Sequence, residues 1–406
     1  MKRIFSRMGP GTKQALNLTG VNGIFWFAWA FSCYQAVYLQ SVGFSASELG
    51  VLNALSSAVA IASVSFWGMI SDRIGSLRKV LITVLIGGAA LYAMVPAIPT
   101  SLSFSPLLLT CLLPAVNFFR GSMATFTDNL LVRNCNELRL NFGVLRSAGS
   151  FLFTVGSMII SFLLPTVGVQ NTFWISGLLM IPAVILTFFS REPNAKPKAK
   201  KQEKGGGLNL GELFHNRAYA AFLVFAFLFY IAVNCEANFL PYFMKDVGVA
   251  SEQYGILLAY RAFLEIPFLL LMMRLRRRFP LRYLVMGSAV LMALECLGLG
   301  LFAHSLPTML LFCTFFGLGN GLFIGSSLNY VYELAPDHLK ASAQAFFVSV
   351  SSVAGILGNL VGGLVFDAIG AQPFYLVVAA MYVLSALIFL LSILRERKTV
   401  PPEDAA

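Results

Sequence analysis

Residues 68–79 read Gly68-Met-Ile-Ser-Asp-Arg-Ile-Gly-Ser-Leu-Arg-Lys79, a short charged stretch between two long apolar ones. The apolar run before it covers residues 46–70, and the one after it covers 80–98. About 20 apolar residues in a helix are enough to cross the roughly 30 Å hydrocarbon core of a bilayer. This part of the chain therefore predicts a membrane hairpin of two helices joined by a polar turn.

The same pattern continues through the whole chain of 406 residues. Hydrophobic residues make up 58% and charged residues 12% of the sequence, about half the charge that soluble domains carry. This composition excludes a disordered chain and an ordinary soluble enzyme. Twelve runs are long enough to span a membrane, at residues 16–41, 46–70, 80–98, 104–133, 141–165, 170–190, 217–244, 252–273, 282–303, 306–334, 340–365 and 372–394.

The positions of the basic residues predict how the chain is oriented. The formal net charge is +11, and 25 of the 29 lysines and arginines fall on the side of the membrane that holds the N-terminus. Cytoplasmic loops carry such an excess of lysine and arginine. We therefore expect a multi-pass cell membrane protein with both termini in the cytoplasm. The positive charge thus predicts contact with a lipid bilayer and no nucleic-acid partner.

A repeat and a central linker predict the domain organisation. Residues 42–48 (Val-Gly-Phe-Ser-Ala-Ser-Glu) recur as 247–252, and 168–170 (Gly-Val-Gln) recur as 370–372, each about half a chain later. We expect an N-terminal six-helix bundle (1–190), a polar cytoplasmic linker (191–216), and a C-terminal six-helix bundle with a short tail (217–406). An all-α protein of two pseudo-symmetric bundles is typical of transporters. The alternative for the first match is two similar helix starts, because Ser45 and Glu48 form a capping box.

The turn at 68–79 resembles the inner-loop signature of the major facilitator superfamily, G-x-x-x-D-[RK]-x-G-x-[RK]-[RK], with one extra residue before the final basic pair. The resemblance implies twelve transmembrane helices in the major facilitator fold and a conformational latch at this turn. The alternative is a basic loop that only sets the orientation in the membrane. The residues that match the latch are Gly68, Asp72, Arg73, Gly75 and Arg78.

A narrower resemblance lies at Asn141-Phe-Gly-Val-Leu-Arg146. It is similar to the oligosaccharide:proton symporter branch, which includes lactose permease, and implies that Arg146 binds sugar with Asp128 as its partner. The second half departs from that branch. Arg261 stands where the branch has a carboxylate in span eight, and Phe316 and Gly319 stand near its histidine and glutamate in span ten.

Helical register predicts which charges inside the membrane meet. Asp128 and Arg146 lie nine residues either side of Glu137 in a short turn, so a rise of about 1.5 Å per residue places them at equal depth on adjacent helices. A charge at the bilayer centre costs at least about 2.5–3.5 kcal/mol and needs a partner. We expect an ion pair that binds substrate; the alternative is a structural clamp between spans four and five.

The second half offers candidates for proton coupling. Glu236 and Arg261 are nearly equidistant from the turn at Gly248, and Glu265 follows Arg261 by one helical turn. One arginine between two carboxylates leaves a surplus acid that can carry a proton. The alternative is a fixed, fully paired network. The proton-coupling candidates are Glu265, Glu236, Arg261 and Glu295.

Further substrate-binding candidates combine aromatic faces with amide groups, a combination that suits a sugar or a nucleoside. For Trp26 the alternative role is that of an anchor at the membrane interface. Arg120, in span four, is expected to attract an anionic group. Together with Arg146 and Asp128, the predicted substrate-binding residues are Trp26, Tyr34, Gln35, Asn234, Asn238 and Arg120.

These patterns predict a proton-coupled symporter that imports a small polar solute by alternating access, most simply a sugar, an oligosaccharide or a nucleoside. We expect a monomer, with the proton gradient as energy source and neither a metal nor a cofactor. An exporter or drug antiporter is the first alternative, although span five lacks the Gly-Pro motif of that class. A solute sensor without transport is the second. No catalytic motif or P-loop is present, so an enzyme is not expected.

Overall fold

The computed structural model describes residues 10–98, 105–192 and 211–399, and these residues are helical apart from short turns. In the first half the helices are α1 (Pro10–Ser32), α2 (Gln35–Ser41), α3 (Ala46–Ile74), α4 (Leu77–Ala93), α5 (Ser105–Leu138), α6 (Phe142–Val167) and α7 (Asn171–Phe189). The second half has α8 (Gly211–His215), α9 (Arg217–Asp246), α10 (Tyr254–Arg278), α11 (Leu281–Phe302), α12 (Leu306–Leu334), α13 (Lys340–Ile369) and α14 (Ala371–Thr399).

Within the described ranges, ten helices are long and apolar enough to cross a membrane. The long helix α1 is not among them. The helix α10 contains residues outside the described ones, and no span is assigned to it. The run predicted as one span over 16–41 is split, because α1 ends at Ser32 and α2 begins at Gln35.

The repeat seen in the sequence is confirmed by the backbone of the turns. Gly43 and Gly248 both have a positive φ, of 95° and 77°, and Gly168 and Gly370 have φ of 81° and 80°. Residues other than glycine rarely adopt this conformation. A turn of the same backbone conformation therefore recurs at equivalent positions in the two halves.

The first helix start of the repeat is a capping box, as predicted. The Glu48 amide donates to Ser45 Oγ (3.2 Å), and the Ser45 amide donates to Glu48 Oε2 (2.9 Å). In the second half α10 instead follows a 3₁₀ turn at Ser251–Gln253. Because the two starts differ in capping, similar caps do not explain the repeated sequence.

The described helices pack into two compact units. Among the described residues, one unit contains those up to residue 192 together with 250–262, and the other contains 211–249 and 263–399. In the first unit α1 packs against α6 and α7, and α4 packs against α5 and α7. In the second unit α9 packs against α13 and α14, and α11 packs against α12 and α14. These pairs join equivalent spans of the two halves.

The predicted boundaries of the bundles are not decided by this packing. The predicted linker, 191–216, falls mostly on residues 193–210, which lie outside the described residues. Residues 250–262, which the sequence places in the C-terminal bundle, pack within the first unit. The boundaries at 190 and 217 therefore stay a prediction.

Close packing of α9 on α13 depends on Gly358, where a Cβ atom would lie 2.9 Å from the Ile231 carbonyl oxygen. We predict that Gly358→Ala lowers the free energy of unfolding by about 1–3 kcal/mol, because a methyl group cannot be accommodated against the backbone. Gly287→Ala is the matched control, since nothing lies within 4 Å of its Cβ position. Thermal unfolding in detergent checks both variants. Equal melting temperatures would contradict the close approach.

Candidate functional site

The predicted pair of charges in the first unit is formed. Arg146 Nε lies 3.2 Å from Asp128 Oδ1, joining α6 to α5. The guanidinium carbon of Arg146 lies 4.6 Å from the ring centroid of Trp26, on α1. The Arg146 guanidinium is therefore held between a carboxylate and an aromatic face, with residues from three helices. Cation–π stacking of this kind contributes about 0.5–2 kcal/mol.

Several buried polar atoms around this pair have no hydrogen-bond partner among the described residues. They are Asn22 Oδ1, Trp26 Nε1 and Asp128 Oδ1. The Asp128 oxygen has an ion-pair distance to Arg146 but not the geometry of a hydrogen bond. Buried polar groups without partners are rare in proteins. The cluster thus offers one donor and two acceptors beside an aromatic ring and a guanidinium.

Asn22 and Gly149 bring α1 and α6 together at this cluster. Asn22 Nδ2 donates to the Leu145 carbonyl oxygen at 3.2 Å and approaches that of Arg146 at 3.4 Å. A Cβ atom on Gly149 would lie 2.6 Å from both Asn22 Nδ2 and Trp26 Cδ1. Only glycine fits at this position without displacing the two side chains.

Arg120 forms a second arginine site in the same unit. Its guanidinium carbon lies 3.6 Å from the ring centroid of Tyr92 and 4.8 Å from that of Trp29. Its Nη2 donates to Ser32 Oγ at 2.8 Å. In the described part of the chain Arg120 has no ion pair with a carboxylate. The sequence did not single out Tyr92 or Ser32, because nothing in their local pattern separates them from ordinary span residues.

Tyr34 and Gln35 do not join the cluster around Arg146 in the contacts described. Tyr34 is fully buried, and its hydroxyl donates to the Glu252 carbonyl oxygen (3.1 Å) and accepts from the Gly255 amide (2.8 Å). Ser161 Oγ also donates to the Glu252 carbonyl oxygen. Gln35 is half-buried at the start of α2. Tyr34 thus anchors residues 250–262 within the first unit, and its role in binding substrate stays a prediction.

The predicted proton-coupling residues are divided between the two units. Glu236 and Glu295 are fully buried in the second unit, and the Tyr382 hydroxyl lies within electrostatic reach of both. Glu265 Oε1 accepts a hydrogen bond from Asn320 Nδ2 at 2.7 Å. Arg261 is 4% exposed and belongs to the segment that packs with the first unit. The predicted meeting of Arg261 with Glu236 stays a prediction.

The two predicted amide residues of α9 make hydrogen bonds within the second unit. Asn234 Nδ2 donates to the carbonyl oxygen of Tyr230 on its own helix, at 2.8 Å. Asn238 Nδ2 donates to Oδ1 of Asn359, on α13, at 2.6 Å. Asn238 therefore joins two helices, a role that the sequence did not predict because Asn359 lies 121 residues away.

At the turn between α3 and α4, the predicted latch residues Arg78 and Asp72 differ in their contacts. Gly75 ends α3 with a φ of 68°. Arg78 Nε lies 3.6 Å from Glu192 Oε2, which also accepts a hydrogen bond from Ser76 Oγ at 2.6 Å. Asp72 is exposed and makes no hydrogen bond or ion pair with any residue that the structure describes.

Gly68 and Arg73 lie on α3, where Arg73 is exposed and a Cβ atom on Gly68 would meet nothing within 4 Å. The functional role of this turn therefore stays a prediction. No group of three or more histidine, cysteine or acidic residues within the described ranges is arranged to hold a metal ion.

Comparison with known proteins identifies the family. The sequence matches the MFS_1-like family over residues 23–377. The chain belongs to this family. It is 25% identical over 367 residues to the maltose permease of Geobacillus stearothermophilus, in an alignment that covers 89% of this chain and 90% of that protein. It is 24% identical over 403 residues to a sucrose permease of Escherichia coli, covering 92% of each chain.

Solved structures show the same fold. The crystal structure of a mutant form of the nucleoside transporter NupG superposes with a TM-score of 0.80 at 18% identity, covering 93% of this chain and 99% of that one. The predicted fold class, an all-α membrane protein with the major facilitator fold, is confirmed. The chain is a multi-pass membrane protein and a secondary transporter of small solutes, not an enzyme.

Glu192 and Asp72 lie near the same turn, and their contacts predict that replacing them has different effects on stability. We expect Glu192→Ala to lower the free energy of unfolding by about 1–2 kcal/mol, because it removes the hydrogen bonds to Ser76 Oγ and the Arg78 amide. Asp72→Ala, at an exposed residue that makes no hydrogen bond or ion pair with a described residue, should change the free energy of unfolding by less than about 0.5 kcal/mol. Thermal unfolding of the purified variants measures both. An equal loss in the two variants would contradict the assigned contacts.

Proposed function

We propose that this transporter is a proton-coupled symporter that imports a small polar solute, a sugar, an oligosaccharide or a nucleoside, by alternating access. The observation that carries the proposal is the cluster of Asp128, Arg146 and Trp26 in the first unit. The permeases for maltose and sucrose and the nucleoside transporter among its relatives support the class of solute.

The chemistry of the cluster fits a hydroxylated solute with apolar faces. Asp128 Oδ1 and Asn22 Oδ1 can each accept a hydrogen bond from a hydroxyl group, and Trp26 Nε1 can donate one. The Arg146 guanidinium supplies further donors in a fixed planar arrangement. Because Asp128 balances the charge of Arg146, a neutral solute leaves no net charge in this cluster. A sugar ring would stack on Trp26 and form hydrogen bonds to these polar groups through its hydroxyl groups.

The proton is assigned to a carboxylate of the second unit. Glu236 and Glu295 are fully buried, whereas Glu265 is half-buried and bonded to Asn320. A coupling carboxylate has to exchange its proton with water at some point of the cycle. Glu265 is therefore our first choice, with Glu236, Glu295 and the neighbouring Arg261 completing the coupling group. In this scheme the proton binds before the solute and leaves after it.

The remaining parts of the proposal follow from the sequence. Both termini are placed in the cytoplasm by the distribution of lysine and arginine. The proton gradient is the energy source, and the working unit is a monomer in the cell membrane. The turn that contains Asp72 serves as the conformational latch, a role that needs a state in which Asp72 has a partner.

The first functional prediction concerns solute binding. Arg146→Ala should lower affinity for the transported solute at least about 100-fold, because it removes the guanidinium and leaves Asp128 without its partner. Arg133→Ala is the control, because Arg133 lies near the C-terminal end of α5 and is not part of the proposed site. Thermal-shift and calorimetric titrations with sugars and nucleosides measure affinity on the folded proteins. Unchanged affinity in Arg146→Ala would contradict the site.

The second functional prediction concerns coupling. Glu265→Gln should still exchange solute across the membrane but fail to accumulate it against a gradient, because the amide cannot carry a proton. Glu333→Gln, at an exposed residue of α12, should behave as wild type. Uptake of radiolabelled solute into proteoliposomes with an imposed pH gradient measures both properties. Normal accumulation in Glu265→Gln would assign coupling to another carboxylate, and exit of solute driven by inward proton flow would indicate an antiporter.

A further inference from the structure

Arg120 lies near the middle of α5, where a charge is costly, yet it has no carboxylate partner among the described residues. A charged side chain at the centre of a bilayer costs at least about 2.5–3.5 kcal/mol. Asp128 meets this requirement for Arg146, at 3.2 Å. Arg146 and Arg120 thus differ in one respect, because Asp128 balances the charge of Arg146 and no described carboxylate balances that of Arg120.

The surroundings of Arg120 stabilise a cation without neutralising it. Tyr92 and Trp29 stack on the guanidinium, and Ser32 Oγ accepts from Nη2. Ser32 is itself fixed, because its hydroxyl donates to the Trp29 carbonyl oxygen at 2.6 Å and its carbonyl oxygen accepts from the Tyr92 hydroxyl at 3.1 Å. A guanidinium has five N–H donors, and the described contacts of Arg120 with Ser32, Tyr92 and Trp29 do not use all of them.

The two arginines stack on neighbouring rings of the same helix. Arg146 lies against Trp26 and Arg120 against Trp29, and the centroids of these two indole rings are 6.2 Å apart. A solute that lies along this side of α1 can therefore reach both groups. One end of the solute would contact the ion pair of Asp128 and Arg146, and the other end would contact Arg120.

We propose that Arg120 binds a carboxylate group carried by the solute, so that the transported compound is an acidic sugar or an acidic nucleoside. This assignment rests on the proposed function and narrows its solute class. A carboxylate matches the planar edge of a guanidinium with two parallel hydrogen bonds. Its single negative charge balances Arg120, whereas a phosphate monoester carries about two charges and would leave one in excess.

The test compares matched pairs of compounds that differ only in the acidic group. They are methyl glucoside with methyl glucuronide, and uridine with its 5′-carboxylic acid. Binding to the purified full-length protein is measured by calorimetric titration. In at least one pair the wild-type protein should bind the carboxylate about tenfold or more tightly than the neutral compound. Equal affinity within both pairs overturns the proposal, and so does tighter binding of glucose 6-phosphate than of the glucuronide.

Variants then assign the preference to Arg120. Arg120→Gln should remove the preference for the carboxylate over the neutral compound, and Arg120→Lys should keep part of that preference. Arg133→Gln is the matched control on the same helix and should keep the full preference for the carboxylate. A preference that survives in Arg120→Gln overturns the assignment. Because the wild-type comparison needs no variant, the proposal is testable even if Arg120→Gln does not fold.

The outcome also separates this proposal from the proposed function. If the neutral compounds bind and lose affinity in Arg146→Ala, but the carboxylates have no advantage, only the anion site fails. If none of the four compounds binds to the wild-type protein, the solute class fails and the anion site fails with it.

Discussion

A charge inside a hydrocarbon layer needs a partner, and this constraint organises the first unit around α1. Arg146 meets it with Asp128 and the face of Trp26, and Arg120 meets it in part with Trp29, Tyr92 and Ser32. Both arginines come from other helices and end on the same side of α1. The aromatic residues of α1 therefore join helices of the unit through these contacts, and in the proposed function they also form the surface that recognises the solute.

The second unit has the same packing but a different chemistry. Its helix pairs are equivalent to those of the first unit, and its turns contain glycines with positive φ at matching positions. Its polar contacts include two hydrogen bonds that side-chain amides donate between helices, from Asn238 to Asn359 and from Asn320 to Glu265. The two halves share turn geometry that depends on glycines at matching positions. Their polar side chains differ: the first unit contains the sites of Arg146 and Arg120, and the second contains the buried acids Glu236 and Glu295.

Patterns that depend on local geometry were predictable from the sequence. The spans, the repeat and the Ser45 capping box follow from hydropathy and turn residues. The Asp128–Arg146 pair follows from counting equal helical rises on either side of one turn. The stacking of Tyr92 on Arg120 and the bond from Ser76 to Glu192 join residues far apart in the chain, and no periodicity encodes them. The break between α1 and α2 was also missed, because residues 32–35 contain neither glycine nor proline.

The uncompensated charge of Arg120 has a consequence for the energy available to transport. A neutral solute that moves with one proton carries a positive charge inward, and the membrane potential adds about 2.3 kcal/mol per 100 mV to its accumulation. A monocarboxylate that moves with one proton carries no net charge. Its accumulation then depends on the difference in pH alone and is unaffected by the potential. By selecting a carboxylate, the Arg120 guanidinium would determine whether uptake is driven by the pH difference alone or also by the membrane potential.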